Sequence, residues 1–461
     1  MIVTISNKIY VENPTIALQQ WCKQHLVVTN PEFEKKFRMK LWTGNTPEKL
    51  WLYEIDADTW VLPYGVLCMA SELLKDAQII QKFPEKRTVD YGGNIPLYNY
   101  QKVAVNELLG SYMGILQSKA GSGKTQMGLS LVSRLKCKTL WLTHTHDLLN
   151  QSRDRAVQYF DKSLIGEITS GKINIGKGIT FATVQTLAKQ DLSRFRDTWD
   201  CVIVDECHRV AGSPTSLTQF GKVLSSLACK RKYGLSATVH RADGLTKCIF
   251  AYLGKIAYIV PDEAVAEKVM KVSINRRDTG VEISQKCLDT DGTLIYANLI
   301  NYLADNTRRN FQIVNDLMEN AEHYNLILSD RLEHLKRLMQ LLPDELQEAS
   351  VMIDGRMTTK KGKVQREQAI DDMRSGKKRY LFASYRLAKE GLDIPRLDRL
   401  YLTTPQKDYA VIVQSVGRIA RAFEGKCSPV CYDYVDNIDY LVRAYKQRCR
   451  HYKKDGCEVN G

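Results

Sequence analysis

A chain of 461 residues, 44% hydrophobic and 26% charged, has length for two to four domains, each with its own core. The formal charge of +14 favours a polyanionic partner, nucleic acid first, and no apolar run approaches the roughly 18 residues a membrane span needs. Residues 1–7 lack a basic stretch followed by an apolar one, and twelve cysteines at irregular spacings read as reduced thiols. Both features point to the cytoplasm, the host's if the chain is viral.

Residues 1–90 read as a small α+β block. Strand-like stretches at 2–5, 50–55 and 59–62 alternate with a helical one at 15–25. Between them, residues 33–42 interleave Phe33, Phe37 and Trp42 with Lys35, Lys36, Arg38 and Lys40. Rings can stack on bases while cations meet phosphate, although the same residues would also suit a solvated basic face. Residues 83–96, polar with Pro and Gly, read as a linker.

A helix then opens at Tyr98-Asn99-Tyr100-Gln101, where Gln101, both donor and acceptor, can read an adenine edge. The short apolar run 113–116 breaks into Gly121-Ser122-Gly123, then Lys124-Thr125, then a helical pattern. Glycines let backbone N–H groups converge on a phosphate. Lys124 is placed to reach the β- and γ-phosphates of a nucleotide, and the Thr125 hydroxyl to sit on Mg²⁺. The strict G-x-x-x-x-G-K-[ST] pattern fails at its first position, which is Ser118.

Farther on, strands are expected to end at Thr143-His144-Thr145-His146 and at Thr183. These are the ends at which open α/β sheets bind ligands. The run Cys201-Val-Ile-Val-Asp205-Glu206-Cys207-His208 delivers two acids at a strand end. Asp205 can hold Mg²⁺ and Glu206 can orient or deprotonate water; adjacent buried carboxylates otherwise repel. Ser236-Ala237-Thr238, at the next strand end, can hydrogen-bond the acidic pair.

Residues 256–300 read as an irregular bridge, and a second α/β pattern begins at 324. Its strand ends carry Ser329 and Ser384, the latter followed by Glu390-Gly391-Leu-Asp393-Ile-Pro395. Read as one helix, Gln414, Arg418 and Arg421 fall at i, i+4 and i+7, on a single face. Arginines so aimed could serve a distant phosphate.

In this order the motifs resemble those of the superfamily 2 helicases over residues 97–440, with a DExH second motif. Gly234-Leu-Ser-Ala-Thr-Val-His-Arg-Ala-Asp-Gly244 is closest to the phage UvsW-like and XPB-like branch, whose members act on duplex DNA. The segments Asn30-Pro-Glu-Phe33, Asn45-Thr-Pro47 and Leu62-Pro63 are similar to the N-terminal domain of phage DNA-branch helicases.

The resemblance implies two tandem RecA-like parallel-sheet lobes, at 91–260 and 261–461, preceded by an accessory DNA-binding α+β domain at 1–90. It implies ATP and Mg²⁺ held by Gln101, Gly121, Ser122, Gly123, Lys124, Thr125 and Asp205, with Gly391 and Asp393 lining the nucleotide. Glu206 would activate water, Gln414 would line the site, and Arg418 and Arg421 would be arginine fingers. Thr145, Thr183, Ser329 and Ser384 would face nucleic acid. Ser384 stands where Thr is common, and His144 where Pro is.

The function implied is an ATP-dependent DNA helicase or translocase on duplex or branched DNA in recombination or repair, working as a monomer or weak oligomer. The motor of a restriction-type system, an RNA helicase, and an ATP-binding clamp without turnover are the competing readings.

Overall fold

The computed structural model describes residues 1–461 apart from 120, 170, 214–215, 242, 266–268, 356, 358, 390–391, 393, 407 and 461. Two compact units emerge, the first carried by residues 1–119 and 123–261, the second by 120–122 and 262–461.

The first unit holds two sheets. The N-terminal one runs Glu54–Asp56, Thr59–Leu62, Ile9–Glu12, Ile2–Ile5 and Gln78–Gln81, antiparallel except for the last pair. Alternation along Ile2–Ile5 and Ile9–Glu12 sends Val3, Ile5, Ile9 and Val11 into one core. Helix Ile16–His25, capped by the Thr15 hydroxyl, adds Leu18 and Cys22.

That core does not close on itself. Met113, Ala211, Leu245, Cys248 and Ala251, from the sheet that follows and its surroundings, complete it. Gly65 N donates to Ala251 O at 2.8 Å, and a Cβ at Gly65 would lie 2.2 Å from Phe250 O. Only glycine permits that approach. The stretch 83–96 is bound down as well, since Val89, Tyr91 and Ile95 are buried and the Tyr91 hydroxyl donates to Cys137 O. The N-terminal block is therefore docked on its neighbour through a shared core.

The neighbour is an eight-stranded sheet in the order Lys172–Asn174, Ile165–Thr169, Ile179–Thr183, Thr139–Thr143, Cys201–Asp205, Arg231–Ser236, Met113–Gln117 and Ile256–Ile259. Every pairing is parallel except that of Ile165–Thr169 with Lys172–Asn174. All five residues of Thr139–Thr143, Ile179–Thr183 and Cys201–Asp205 are buried, as expected of strands covered on both faces.

The second unit carries seven parallel strands in the order Ser350–Met352, Tyr380–Ser384, Asn325–Ser329, Arg399–Leu402, Val430–Val435, Ser273–Asp278 and Glu458–Asn460. Both sheets with their helices are RecA-like lobes, and the N-terminal α+β region precedes them, the fold class implied by the motifs.

The expectation of an irregular bridge at 256–300 is corrected. Ile256–Ile259 forms the edge of the first large sheet, and Ser273–Asp278 lies inside the second. Both strands are only partly buried, so neither shows the unbroken apolar run that marks an inner strand.

Candidate nucleotide-binding site

The strand order sets the first-unit site. Met113–Gln117 and Cys201–Asp205 flank Arg231–Ser236, so the loop after the first and the acids after the second emerge at the same end of the sheet. The loop turns on two left-handed glycines, Gly121 at φ +85° and Gly123 at φ +82°. Gly123 is also the N-cap of helix Lys124–Leu135, and no side chain caps that helix. The first-turn N–H groups are thus left to an anion, and the helix dipole favours one. Lys124 Nζ donates to the carbonyls of Ser118 at 3.2 Å and Lys119 at 3.4 Å, while Ser122 is buried and Thr125 half-buried.

Gln101 lies over this turn, since a Cβ at Gly123 would come within 2.5 Å of its Nε2. Gln101 is 3% exposed, and its Oε1 accepts from Tyr98 N at 3.0 Å as part of a capping box. Its Nε2 donates to the Tyr100 hydroxyl at 3.4 Å. The amide oxygen that would read adenine is here engaged with the backbone of Tyr98.

Asp205 is 5% exposed. Its Oδ1 accepts from Glu206 N at 3.0 Å, and its Oδ2 from the Ser152 hydroxyl at 3.5 Å. Burial, then the charge of Glu206, push its carboxyl up to about 7, against the pull of Lys124. Such a site is short of positive charge. Together with an uncapped helix N-terminus and a glycine cradle, this donor set fits a nucleotide phosphate with Mg²⁺.

Glu206 adopts φ +52°, a left-handed conformation that a residue with a Cβ occupies only where its surroundings impose it. Its Oε2 lies 3.2 Å from His208 Nδ1. The same nitrogen is 3.1 Å from Ser236 Oγ, whose own proton goes to Thr238 O at 2.6 Å. Ser236 must then accept, so the His208 proton sits on Nδ1. Among the described residues, Ser236 therefore bonds His208 and the Thr238 carbonyl, and His208 stands between it and Glu206. Arg241 Nη1 fixes the His208 carbonyl at 2.6 Å while its other nitrogens hold Asp243.

In the second unit, helix Tyr409–Ile419 stops short of Arg421. Expecting one helical face for Gln414, Arg418 and Arg421 was incorrect. Met270 N donates to Ala420 O, and Arg421 forms an antiparallel bridge with Val269, which takes the backbone out of the helix. Lys426 Nζ secures the end, donating to the carbonyls of Ile419 at 2.7 Å, Arg421 at 2.7 Å and Pro395 at 3.1 Å. Arg418 donates from Nε to Ala388 O at 2.8 Å and from Nη1 to Leu392 O at 3.0 Å. Gln414 is 8% exposed, and its Oε1 is buried without a partner among the described residues. Gly391 and Asp393 lie outside the described residues.

The four hydroxyls expected to face nucleic acid divide into two kinds. Thr145 and Ser384 are half-buried at strand ends, where Thr145 caps helix His146–Val157 and Ser384 Oγ accepts from Leu387 N. Thr183 and Ser329 are 1% and 0% exposed. Thr183 caps helix Val184–Ala188 and donates to Thr186, while Ser329 contacts His334 Nδ1 and accepts from Arg331 N. For these two side chains the expectation is corrected, because they brace turns from inside. Ser152, His208 and Lys426 were not singled out. Their roles depend on tertiary register, and only the DExH spelling around His208 gave a signal.

The family described as Type III restriction enzyme, res subunit, matches residues 94–241, and Helicase conserved C-terminal domain matches residues 309–423. A protein of Acanthamoeba polyphaga mimivirus, provisionally named an ATP-dependent RNA helicase, is 28% identical over 74% of this chain and 64% of its own. The DNA 3'-5' translocase XPB2 of Sulfurisphaera tokodaii is 30% identical over 43% of either chain. This chain thus spans less than two thirds of the length of both relatives. Among solved structures, S. cerevisiae Dbp5 bound to RNA and ADP BeF3 aligns with 78% of this chain and 88% of its own, at 18% identity and a TM-score of 0.54, a likeness of fold.

Proposed function

Because the chain belongs to the superfamily 2 helicases, we propose that it is an ATP-driven translocase or helicase on duplex or branched DNA, acting in recombination or repair. The observation that carries the ATPase is buried Asp205 with half-buried Glu206 beside it, on the same sheet end as Lys124 and the open helix N-terminus. The DNA assignment is supported by the motif run 234–244 and by the name of the translocase matched over 43% of the chain.

In this reading the N–H groups of residues 121–125 and the Lys124 ammonium bind the phosphates, and Gln101 stands beside the base. Bound Mg²⁺, held by Thr125 and Asp205, would supply positive charge to the phosphate oxygens. Glu206 orients and deprotonates the attacking water, with His208 Nδ1 lying 3.2 Å from its Oε2. Arg418 and Arg421 stabilise charge on the transferring group. Contacts to backbone phosphate carry no sequence information, so binding is sequence-tolerant and weakens with salt.

The test is ATP hydrolysis at low salt with no polymer, single-stranded DNA, duplex, a four-way junction or RNA, each with a Lys124→Ala control. Stimulation by duplex or junction that the control abolishes is expected. Equal stimulation by RNA would make it an RNA helicase. Negligible turnover on every polymer would leave an ATP-binding clamp.

A further inference from the structure

The chain's most exposed large aromatics lie outside both ATPase sheets. Trp42 is 87% exposed and Phe37 70%, with Met39 and Leu41 at 58% and 54% beside them. They belong to an excursion, residues 30–48, that leaves the N-terminal core between strands Val27–Thr29 and Lys49–Trp51, which pair antiparallel at its base.

The excursion is built, not frayed. Asn30 caps helix Pro31–Arg38 by accepting from Glu32 N, and its Nδ2 donates to Pro47 O at 2.8 Å, closing the loop. Lys36 Nζ reaches Thr46 Oγ1 at 2.7 Å and Glu32 at 3.0 Å. Yet the helix buries none of its residues, so its apolar groups do not serve the core. Phe33 and Phe37 stack on each other at 6.2 Å with planes 10° apart. Trp42 sits against Gly44, where a Cβ would come within 2.8 Å of the indole and φ is +51°. The ring thus meets backbone while most of the residue stays exposed.

Ordering two aromatic faces toward water costs free energy that the core does not recover, and a planar ligand would. The surrounding charge selects the class of ligand. Four cations, Lys35, Lys36, Arg38 and Lys40, outnumber Glu32 and Glu34 between residues 31 and 42, and Lys35 and Lys40 are exposed. A groove of about 490 Å³ runs along the helix, lined by Phe33, Phe37 and Arg38 with Glu34, Glu48 and Thr29. Carboxylates there disfavour phosphate but accept from exocyclic base amines, so the groove suits bases and the outer lysines suit the backbone.

We propose that residues 33–42 form a stacking platform for unpaired nucleotides, with bases on Phe37 and Trp42 and phosphates on Lys35 and Lys40. This rests on the nucleic-acid reading above and gives the N-terminal block its ligand: a single strand next to a duplex, as a branch point supplies. Stacking is indifferent to base identity, as a sequence-tolerant motor requires.

The test uses the full chain and fluorescence anisotropy at fixed ionic strength, with a labelled 20-mer of dT and an abasic 20-mer of the same length. The wild type is expected to prefer dT. Phe37→Ala/Trp42→Ala should weaken dT binding at least about fivefold, leave abasic binding unchanged and abolish the preference. Trp42→Phe should restore part of it. Lys35→Ala/Lys40→Ala should weaken both ligands alike and flatten the salt dependence.

Unchanged thermal unfolding and circular dichroism would show that the double variants fold. Preference retained in Phe37→Ala/Trp42→Ala overturns the platform. So does a dimer in sedimentation that this variant dissolves while its dT affinity stays intact, which would make the patch a self-interface. A wild type that binds no polymer at all removes the helicase reading itself, a separate failure.

Discussion

The two units treat buried charge in opposite ways. In the second, the most deeply buried arginines are matched with aspartates. Arg309, fully buried, bonds Asp436 at 2.8 Å, and Thr279 and the Thr403 carbonyl add to that network, while Arg309 Nη2 and Asp436 Oδ2 have no partner among the described residues. Arg448 grips Asp433 with two nitrogens at 2.9 and 2.8 Å, and the Tyr452 hydroxyl adds a third bond. In the first unit, the carboxyl of Asp205 is held up to about 7 beside another acid, and Lys232, buried on carbonyls of Leu224 and Asn7, is held down to about 8. Matched pairs brace a sheet; an unmatched pair is a site awaiting a cation. Removing a charge should therefore have opposite signs in the two units.

The largest effect is expected in the second. Arg309→Ala leaves Asp436 buried without its cation and should destabilise the protein by about 3–5 kcal/mol. Arg309→Met/Asp436→Leu should recover most of the loss. Chemical denaturation of the three proteins measures this, and equal stability of Arg309→Ala and wild type would break the contrast.

In the first unit the sign reverses. Burial and then the charge of Glu206 push the folded carboxyl of Asp205 from its ordinary value of 3.8 up to about 7. From pH 4 upward the unfolded chain ionises while the native one keeps its proton, so the native state binds more protons and stability falls until about pH 7. Asp205→Asn keeps the acceptor for Glu206 N and removes the charge. Without nucleotide or Mg²⁺ it should unfold a few degrees higher than wild type at pH 8, on the order of 2–5 °C, with the difference gone near pH 4. Mg-ATP should stabilise the wild type and not the variant. A melting series over pH, with and without Mg-ATP, decides it.

Legibility followed the same division. The loop at 121–125 and the acids at 205–206 could be read because glycines, a lysine and paired carboxylates have little other use after buried strands. Thr183 and Ser329 misled, because a hydroxyl at a strand end looks identical whether it caps the next helix or faces outward. The helical run through Arg421 was misread because Ala420 and Arg421 retain the apolar and basic pattern of the helix while bonding to residues 269 and 270, some 150 positions earlier. The docking of the N-terminal sheet was equally silent, resting on Met113, Cys248 and Ala251, each of which reads as core of its own lobe. Pattern reveals which groups are buried; what they are buried against is set by the fold.

Lys426 is the test case within the second unit, a half-buried lysine that rests on three carbonyls. Burial, with help from Arg421 and against Asp398, pulls it down to about 8. Below that pH its three N–H groups hold Pro395, Ile419 and Arg421; above it, the neutral amine has two and one carbonyl is released. Between pH 8 and 10.5 the unfolded chain keeps the proton that the native one has lost, so this residue's contribution to stability rises with pH even as its grip slackens. If the grip sets the Arg421 backbone for catalysis, polymer-stimulated turnover should fall roughly two- to tenfold across pH 8 while the protein grows no less stable through this group. Lys426→Arg, charged throughout, should erase that limb of the pH profile, and Lys426→Met should be slow at every pH. A limb that survives in both variants belongs to another group, and the carbonyl clamp is then structural.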